Sequence, residues 1–228
     1  MKKLYNYETH LHTSEVSRCA SASASEQVEY YSELGYSGVI VTDHFFNGNC
    51  AVPKDVPWKE RVELFCAGYR NALEEGKKRG IDVFFGWEYS FFGTDFLTYG
   101  LSPAWLAQNP QIMDMTLKEY CDFVHIHGGL LIHAHPFREA NYISMIRLVP
   151  RDVDGAEVIN ACRTSFENRM AKQYIQNYGL LPFAGSDNHS AYAQKKLAGV
   201  AFKERIESIE NFVDMIRAGK YKIFEKGL

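Results

Sequence analysis

Short apolar runs alternate along the chain with segments whose apolar residues recur at helical spacing. The short runs are rich in β-branched and aromatic residues, which is typical of strands. They predict seven strands: YNYETHL (5–11), GVIVTDH (38–44), DVFFGWE (82–88), DFLTYGL (95–101), GLLIHAH (129–135), GAEVINA (155–161) and LPFAGSD (181–187). Helical spacing predicts helices over about 23–34, 58–79, 114–127, 165–178 and 206–216, with glycines after most of them.

The order of these elements favours a closed α/β sheet. Strands that alternate with helices form parallel βα units. Residues 38–41 and 129–132 are continuous, largely apolar runs, as in strands covered on both faces. Because no Gly-rich phosphate loop accompanies the units, we expect a barrel rather than an open nucleotide-binding sheet. No linker or repeat divides the chain, so a single domain is predicted for residues 1–228.

Composition and charge exclude several classes of protein to which the chain could belong. The 228 residues are 46% hydrophobic and 23% charged, and their net charge of −3 lacks the basic excess of nucleic-acid binders. No stretch reaches the roughly 20 apolar residues of a membrane span, and the N-terminus lacks the apolar run of a signal peptide. Five cysteines without a CxxC pattern indicate free, unactivated thiols. We expect a reduced cytoplasmic protein that binds neither a membrane nor nucleic acid in bulk, and the oligomeric state stays open.

Residues that can bind metals collect at the C-terminal ends of the predicted strands. They comprise six of the eight histidines and three acids: His10, His12, His44, His133, His135, His189, Asp43, Glu88 and Asp187. The ends of barrel strands converge on one face, and residues two apart on a strand point the same way. Each HxH pair (10 and 12, 133 and 135) is therefore expected to aim both imidazoles at one point. A single such histidine is usually structural, but this many ligands exceeds one ion's needs and predicts two or three divalent ions.

The order of these motifs resembles that of the PHP-domain (polymerase and histidinol phosphatase) family. The matching stretches lie between Tyr7 and about Lys203: HLHT (10–13), TDH (42–44), the Glu that ends the third strand, AHP (134–136) and GSDNH (185–189). The resemblance implies a distorted seven-stranded (β/α)7 barrel with a trinuclear centre of manganese, iron or zinc that hydrolyses phosphoesters. Within the family the chain is most similar to small stand-alone bacterial proteins, some of them histidinol phosphatases.

The resemblance also implies which residues hold the ions. It assigns His10, His12, Glu88 and Asp187 to a first ion, Glu88 and His135 to a second, and His44 and His189 to a third. Three positions depart from the family pattern. Glu15 is the only acid near the place where a His or Asp ligand usually follows the first motif. Asp95 stands where many members have a histidine, and His133 is an additional imidazole.

The implied reaction is hydrolysis of a phosphoester in a small phosphorylated metabolite, histidinol phosphate being one candidate. A water molecule that bridges two divalent ions attacks phosphorus as hydroxide, because coordination lowers its pKa to roughly 7. Asp43 or His133 is expected to protonate the leaving group. Three arginines that follow strand ends are candidates to bind the phosphate bidentately, in the order Arg163, Arg138 and Arg18.

Two other functions stay open. An amidohydrolase-like enzyme would use similar ions on a C–N bond, but none of the predicted strands ends in a lysine for carbamylation. A non-catalytic domain would keep the fold only for metal binding, which the near-complete ligand set disfavours. His125 and His127, at the end of a predicted helix, are expected to bond to the helix terminus rather than to an ion.

Overall fold

A computed structural model describes residues 3–227 of the chain, which form one mixed sheet of nine strands. The strands are β1 (Tyr5–Leu11), β2 (Gly38–Val41), β3 (Asp82–Phe91), β4 (Thr94–Tyr99), β5 (Leu130–Ala134), β6 (Gly155–Asn160), β7 (Leu181–Gly185), β8 (Lys196–Phe202) and β9 (Lys222–Gly227). Their order in the sheet is β7-β6-β5-β4-β3-β2-β1-β8-β9. The predicted strands correspond to β1 to β7. The prediction of seven strands is wrong, because it missed β8 and β9.

The sheet is nearly closed into a barrel, since β7 at one end of the strand order returns to β1 and β8. Leu11, at the end of β1, forms a parallel bridge with Asn188, which follows β7. Close to this bridge, the Ser186 hydroxyl donates to the Ala198 carbonyl of β8 and accepts from the Ala198 amide. The loops that follow β1, β2, β5 and β7 therefore meet at one rim of the barrel.

The sequence pattern predicted a ring of parallel βα units, but the sheet is mixed. β4 is antiparallel to both β3 and β5, and β8 is antiparallel to both β1 and β9. The first reversal occurs at the turn Phe92-Gly93, where φ is 50° and 81°. Two residues leave no room for a crossover helix, and a positive φ at both is the geometry of a tight hairpin turn.

Seven α-helices connect the strands within residues 3–227. They are α1 (Ala24–Glu33), α2 (Trp58–Phe65), α3 (Ala67–Arg79), α4 (Pro103–Gln108), α5 (Leu117–Ile126), α6 (Ser165–Tyr178) and α7 (Ile209–Arg217). The predicted capping box of Ser23 and Glu26 is present at the start of α1. The helix predicted over 58–79 is divided into two at Cys66, and α4 was not predicted. Within residues 3–227, no helix is both long and apolar enough to cross a membrane.

The apolar face of α7 packs against the sheet. Phe212, on this face, is fully buried. Its ring lies 5.5 Å from that of Tyr99, 6.3 Å from that of Phe183 and 5.8 Å from that of Phe202, measured between centroids. Helix α7 therefore packs against β4, β7 and β8 through aromatic contacts.

Replacing Phe212 with alanine is expected to destabilise the protein by about 3–5 kcal/mol, because truncation leaves a cavity among other aromatic rings. Phe166→Ala is the matched control: Phe166 on α6 is 56% exposed, so its loss is expected to change stability by less than about 0.5 kcal/mol. Urea unfolding in the presence of a chelator measures both without a contribution from bound metal. Equal losses in the two variants would contradict this account of α7.

Candidate metal centre

Eight ligand-capable side chains meet at the rim where the strand-end loops converge. They are His10, His12, His44, Glu88, Asp95, His135, Asp187 and His189, and they form four overlapping groups in which the ligand atoms lie within 4.8 Å of one another. His10 belongs to β1, Glu88 to β3 and Asp95 to β4. The other five lie within four residues after the ends of β1, β2, β5 and β7. All eight are positions that the sequence predicted as metal ligands.

Three other ligand-capable side chains lie close to the Nε2 atom of His10. This atom lies 3.1 Å from His12 Nε2, 3.3 Å from Glu88 Oε1 and 3.5 Å from Asp187 Oδ1. Donors about 2.1 Å from a shared tetrahedral ion are themselves about 3.4 Å apart. The four side chains are therefore spaced as the ligands of one ion would be.

Glu88 links this group to the remaining ligands. Its Oε1 lies 3.1 Å from His135 Nε2, and that imidazole nitrogen is 4.0 Å from Asp95 Oδ2. On the other side, Glu88 Oε2 lies 2.6 Å from His44 Nδ1. His44 in turn groups with His12 and His189. The carboxylate of Glu88 thus lies between two further sets of ligands.

Hydrogen bonds to the outer ring nitrogens fix how three of the imidazoles face the cluster. His10 Nδ1 lies 2.9 Å from Glu157 Oε1, and His189 Nδ1 lies 2.8 Å from the carbonyl oxygen of Asp187. His12 Nδ1 lies 3.1 Å from Ser17 Oγ, which donates its own proton to Asp43. These acceptors place the ring proton on Nδ1, so that each Nε2 presents a lone pair to a metal ion.

Glu157 is a buried acid that the sequence analysis did not single out. Besides His10, it accepts hydrogen bonds from the backbone amide of His135 (2.8 Å) and from Asn160 Nδ2 (2.8 Å). It therefore orients ligands from both β1 and β5. The signal in the sequence is a lone acid within the otherwise apolar strand GAEVIN, which is costly to bury unless it is fully hydrogen-bonded.

The charges of the cluster favour a cation at its centre. Burial alone would raise the pKa of Glu88 and Asp187, but the neighbouring imidazoles hold both well below their usual values, so the two acids are anionic. Burial likewise would lower the pKa of His10, yet Glu157, Asp187 and Glu88 raise it well above its usual value. Positive charge is thus stabilised here. Burial and the neighbouring His189 and His44 lower the pKa of His12, so this imidazole is neutral, the form that can bind a metal ion.

Two buried atoms of the cluster lack hydrogen-bond partners among the described residues. They are Glu88 Oε2 and His44 Nδ1, which face each other without hydrogen-bond geometry. An unsatisfied buried polar atom costs about 1–3 kcal/mol, more when it is charged. A divalent ion bound beside them would compensate this carboxylate oxygen, so the residues present fit a metal centre.

A cavity of about 910 Å³ opens over the cluster. Arg138 and Arg163 line it, together with the aromatic side chains of Tyr89, Phe91, Phe92 and Tyr142. Arg138 Nη1 donates a hydrogen bond to Asp95 Oδ2 at 3.4 Å, and Arg138 Nη2 donates one to the hydroxyl of Tyr142. Buried ligands therefore form the floor of the cavity, and two cationic side chains belong to its wall.

Comparison with known proteins agrees with the fold of the chain. Residues 166–221 match the PHP-associated family (PHP_C). A two-domain protein from Bacteroides vulgatus ATCC 8482, which contains a predicted PHP-like metal-dependent phosphoesterase, superposes on 97% of the chain with a TM-score of 0.74 and 16% identity. The resemblance to the PHP-domain family is confirmed. The chain spans 65% of the length of that PHP-like protein.

Other solved structures share the fold at a similarly low sequence identity. PsfC from Pseudomonas syringae PB-5123 superposes on 99% of the chain and over 91% of its own length, with a TM-score of 0.62 and 15% identity. An amidohydrolase from Chromobacterium violaceum, solved with bound sulfate and no metal, covers 83% of the chain and 89% of its own, with a TM-score of 0.56 and 13% identity. No curated protein matches the chain significantly. At these identities the structural likeness concerns the fold alone.

Glu15 is one predicted ligand that the structure does not bring to the centre. Its carboxylate accepts a hydrogen bond from the amide of Ala24 (3.0 Å), the first residue of α1, and another from Asn71 Nδ2 (3.0 Å). A carboxylate at a helix N-terminus satisfies a free amide and interacts favourably with the helix dipole. Glu15 therefore holds the loop between β1 and α1 against α3.

The two predicted proton donors, Asp43 and His133, do not line the cavity. Asp43 accepts hydrogen bonds from the Thr13 amide (2.6 Å), the Thr13 hydroxyl (2.7 Å) and the Ser17 hydroxyl (2.7 Å). Burial raises the pKa of Asp43 to about 6 despite these bonds. Its contact with Ser17 makes it a support for His12 rather than a group facing substrate.

His133 faces away from His135. The expectation that both imidazoles of this HxH pair point to the same place is therefore wrong. Its ring packs between Phe96 and Tyr174, at centroid distances of 5.1 and 5.9 Å. β5 ends at Ala134, and His135 has a φ of 29°, so strand alternation no longer applies across the pair. Burial and the nearby His135 lower the pKa of His133 to about 3, which makes it a neutral core residue.

The other predicted residues divide between the cavity and the outer surface. Arg18, the third candidate for binding phosphate, does not line the cavity, and its Nε donates to the carbonyl of Cys50 instead. His125 Nε2 lies 2.9 Å from Asp154 Oδ2, and His127 Nδ1 bonds to the carbonyl of Phe123 within the same helix end. Neither histidine joins the cluster, as predicted.

Cys19 was expected to be unactivated, and this expectation is wrong. It lines the cavity, and its Sγ lies 3.1 Å from His44 Nε2. Burial raises the pKa of this thiol, but hydrogen bonds with His189 and His44 more than compensate and lower it to about 6. The sequence carried no local signal for this, because both imidazoles come from distant loops.

Truncating Glu157 to alanine is expected to weaken metal binding about 10–100-fold, because His10 and the His135 backbone lose the acceptor that orients them. Glu15→Ala is the control, since that carboxylate serves the N-terminus of α1 and its loss is expected to leave metal affinity unchanged. Competition of each protein with a fluorescent chelator for Zn²⁺ gives the affinities, and circular dichroism verifies folding. A Glu15→Ala protein that lost metal as strongly as Glu157→Ala would contradict the placement of both acids.

Proposed function

We propose that this chain is a metal-dependent phosphoesterase that hydrolyses a small phosphorylated metabolite. The observation that carries the proposal is the convergence of eight ligand-capable side chains beneath a cavity walled by Arg138 and Arg163. Its similarity to the Bacteroides vulgatus protein, which contains a predicted PHP-like metal-dependent phosphoesterase, supports the same activity.

The ligand groups support a centre of two or three divalent ions, drawn from manganese, iron and zinc. His10, His12, Glu88 and Asp187 would hold one ion, while Glu88, Asp95 and His135 would hold another. His12, His44 and His189 are grouped for a third. Ions bound there would activate water as a nucleophile and neutralise negative charge on phosphoryl oxygens. The residues around them fix the geometry: Glu157, Ser17 and the Asp187 carbonyl hold three imidazoles with Nε2 inward.

Arg163 is the better candidate of the two arginines for binding the phosphate. Its Nε is buried and has no hydrogen-bond partner among the described residues. Arg138, by contrast, is already engaged by Asp95 and Tyr142. A guanidinium with unused donors at a cavity wall can bind a phosphate through two parallel hydrogen bonds. Arg138 would then serve chiefly to keep Asp95 in place.

The shape of the cavity favours a small organic phosphate. Its volume of about 910 Å³ lies within the range of about 300–1,000 Å³ that is usual for small-molecule sites. Tyr89, Phe91 and Phe92 provide apolar surface for the organic part of the substrate, away from the ligand floor. Histidinol phosphate is one candidate that combines a phosphate with a flat ring of suitable size.

An amidohydrolase-like reaction on a C–N bond is the second candidate, because the Chromobacterium violaceum amidohydrolase shares the fold. No lysine is among the described residues that line the cavity, so a carbamylated lysine ligand has no candidate there. The two arginines favour an anionic phosphate over a neutral amide. A third alternative is a metal-binding domain without activity. It would bind ions but release no phosphate in the assays described below.

Purified protein grown with manganese, iron and zinc is expected to contain two or three of these ions per chain and to hydrolyse phosphorylated metabolites. His12→Ala and Asp187→Ala are each expected to lose more than about 100-fold in activity, because ligand loss exceeds the effect of losing a supporting residue. His125→Ala, at the end of α5 and outside the cluster, is the control and is expected to keep its activity. Elemental analysis and a screen of phosphate release provide the measurements. Less than about one ion per wild-type chain would refute the proposal.

Arg163→Ala is expected to raise KM for the phosphorylated substrate about 10–100-fold, since it removes a charge-assisted bidentate contact worth about 1.5–3 kcal/mol. Arg18→Ala is the matched control, because Arg18 bonds to the Cys50 carbonyl away from the cavity, and its KM is expected to stay unchanged. Steady-state kinetics with the best substrate of the screen measures both. A larger effect of Arg18→Ala would reverse the assignment of the phosphate-binding arginine.

A further inference from the structure

Three candidate ligands of the first ion lie in or just after β1 and β7, two strands that are not neighbours in the hydrogen-bonded order of the sheet. The seam between them comprises residues 8–12 and 184–188. At its upper end, the Asn188 amide donates to the His10 carbonyl at 3.1 Å, and the His12 amide donates to the Asn188 carbonyl at 2.9 Å. Below this point, the Thr9 hydroxyl donates to the Ala184 carbonyl at 2.6 Å. Side chains therefore help to close the seam where strand pairing is absent.

The carboxylate of Glu8 closes the seam next to the candidate ligands. Glu8 belongs to β1 and is fully buried. Its Oε1 atom accepts hydrogen bonds from three backbone amides, those of Thr9 (3.0 Å), His10 (2.9 Å) and Ser186 (2.9 Å). Because Ser186 directly follows β7, a single oxygen atom binds the backbone on both sides of the seam.

Two candidate ligands are attached to the backbone that Glu8 holds. His10 is bound through its own amide, and Asp187 lies between Ser186, which Glu8 binds, and Asn188, which the His10 carbonyl binds. Asp187 has a φ of 55°, a conformation that persists in a non-glycine residue only where its surroundings enforce it. His10 Nε2 and Asp187 Oδ1 are 3.5 Å apart. Glu8 therefore acts on the separation of two ligands without belonging to any of the ligand groups itself.

The two sides of the seam are in direct backbone contact at Gly185. A Cβ atom at this position would lie 2.5 Å from the Cβ atom of His10, which is closer than such atoms can approach. No side chain of residue 185 thus separates the strands here. A displacement of one strand would be transmitted to the ligands, because no flexible side chain lies between the two backbones to absorb it.

We propose that Glu8 is a positioning residue of the metal centre, and that the reach of its side chain, rather than its charge, sets the spacing of His10 and Asp187. It acts through the amides of His10 and Ser186, one on each side of the seam. Its role differs from that of Glu157, which orients the imidazole of His10 rather than its backbone. This inference rests on the proposed metal-dependent function and adds to it a residue outside the cavity that determines metal affinity.

The alternative is that Glu8 favours ions only as a buried negative charge, and two substitutions separate reach from charge. Glu8→Gln removes the charge but keeps the length of the side chain and an acceptor oxygen. The atom that becomes nitrogen, Oε2, has no hydrogen-bond partner among the described residues, so no bond is lost. Glu8→Asp keeps the charge but is one methylene shorter, so its oxygen cannot reach the Ser186 amide while it binds those of Thr9 and His10.

Glu8→Asp is expected to weaken Zn²⁺ binding about 10–100-fold, as the loss of a group that orients ligands usually does. Glu8→Gln is expected to keep the wild-type affinity. Thr9→Val is the matched control, because it removes the neighbouring bond of the seam, from the Thr9 hydroxyl to the Ala184 carbonyl, without removing an acceptor of the ligand amides. It is expected to unfold at lower urea concentration in the presence of a chelator but to bind Zn²⁺ as the wild type does. Competition with a fluorescent chelator measures the affinities, and circular dichroism verifies folding.

A Glu8→Gln protein with reduced affinity, or a folded Glu8→Asp protein with unchanged affinity, would overturn the proposal. An equal loss in Thr9→Val would also overturn it, since the seam as a whole rather than Glu8 would then be responsible. If Glu8→Asp does not fold, Glu8→Gln decides alone: wild-type affinity supports reach, and reduced affinity supports charge. A wild type that binds Zn²⁺ but releases no phosphate would refute the phosphoesterase and leave the zinc affinities valid, so the two failures are distinguishable. Failure of the wild type to bind Zn²⁺ would overturn both.

Discussion

The burial of several carboxylates close together is the constraint on which the rest of the structure depends. The side chains of Glu88, Glu157 and Asp187 are at most 8% exposed, and burying such charges without partners would be far more costly than the fold can sustain. His10 lies within reach of all three. The strand-end loops must therefore close around imidazoles, backbone amides and cations, and the barrel is closed at the rim where they do so.

The sheet contributes to this closure through a strand of reversed direction. β4 runs antiparallel between β3 and β5, so its beginning, rather than its end, lies at the rim. Asp95 is the second residue of that strand, and this is why it faces Glu88 and His135 although it precedes an apolar run in sequence. A parallel strand at the same place would have delivered its last residues instead. The hairpin thus supplies a carboxylate that a regular βα unit could not.

Much of the centre could be predicted from the sequence, because strand ends in a barrel-like sheet converge whatever the details of the sheet. His10 and His12 both face the centre, as the expected alternation predicts. His44, His135 and Asp187 end predicted strands, and His189 follows one closely. The order of the motifs also resembled the family whose associated model matches residues 166–221. Periodicity does not report strand direction, however, and so the reversal at Phe92-Gly93 and the two last strands were missed.

The errors within the centre arise where local backbone geometry or distant contacts decide the outcome. His133 and His135 are two apart in sequence, but the strand ends between them. Glu15 had the right chemistry and distance from the first motif, yet the free amides at the start of α1 bind it. Glu157 and Cys19 become informative only when residues more than 20 positions away are placed beside them. The contact of Cys19 leaves no mark in a single sequence, and Glu157 is marked only as a lone acid within an apolar strand.

Two candidate ligands, His135 and Asp187, adopt the left-handed backbone region, with φ of 29° and 55°. This region costs a non-glycine residue of the order of 1–3 kcal/mol unless its surroundings enforce it, although His and Asp are among the residues that tolerate it best. Bound ions would therefore stabilise two strained loops in addition to taking part in catalysis. Loss of metal would release these loops first, and a protease that cleaves opened segments would sense the emptied protein before it unfolds as a whole.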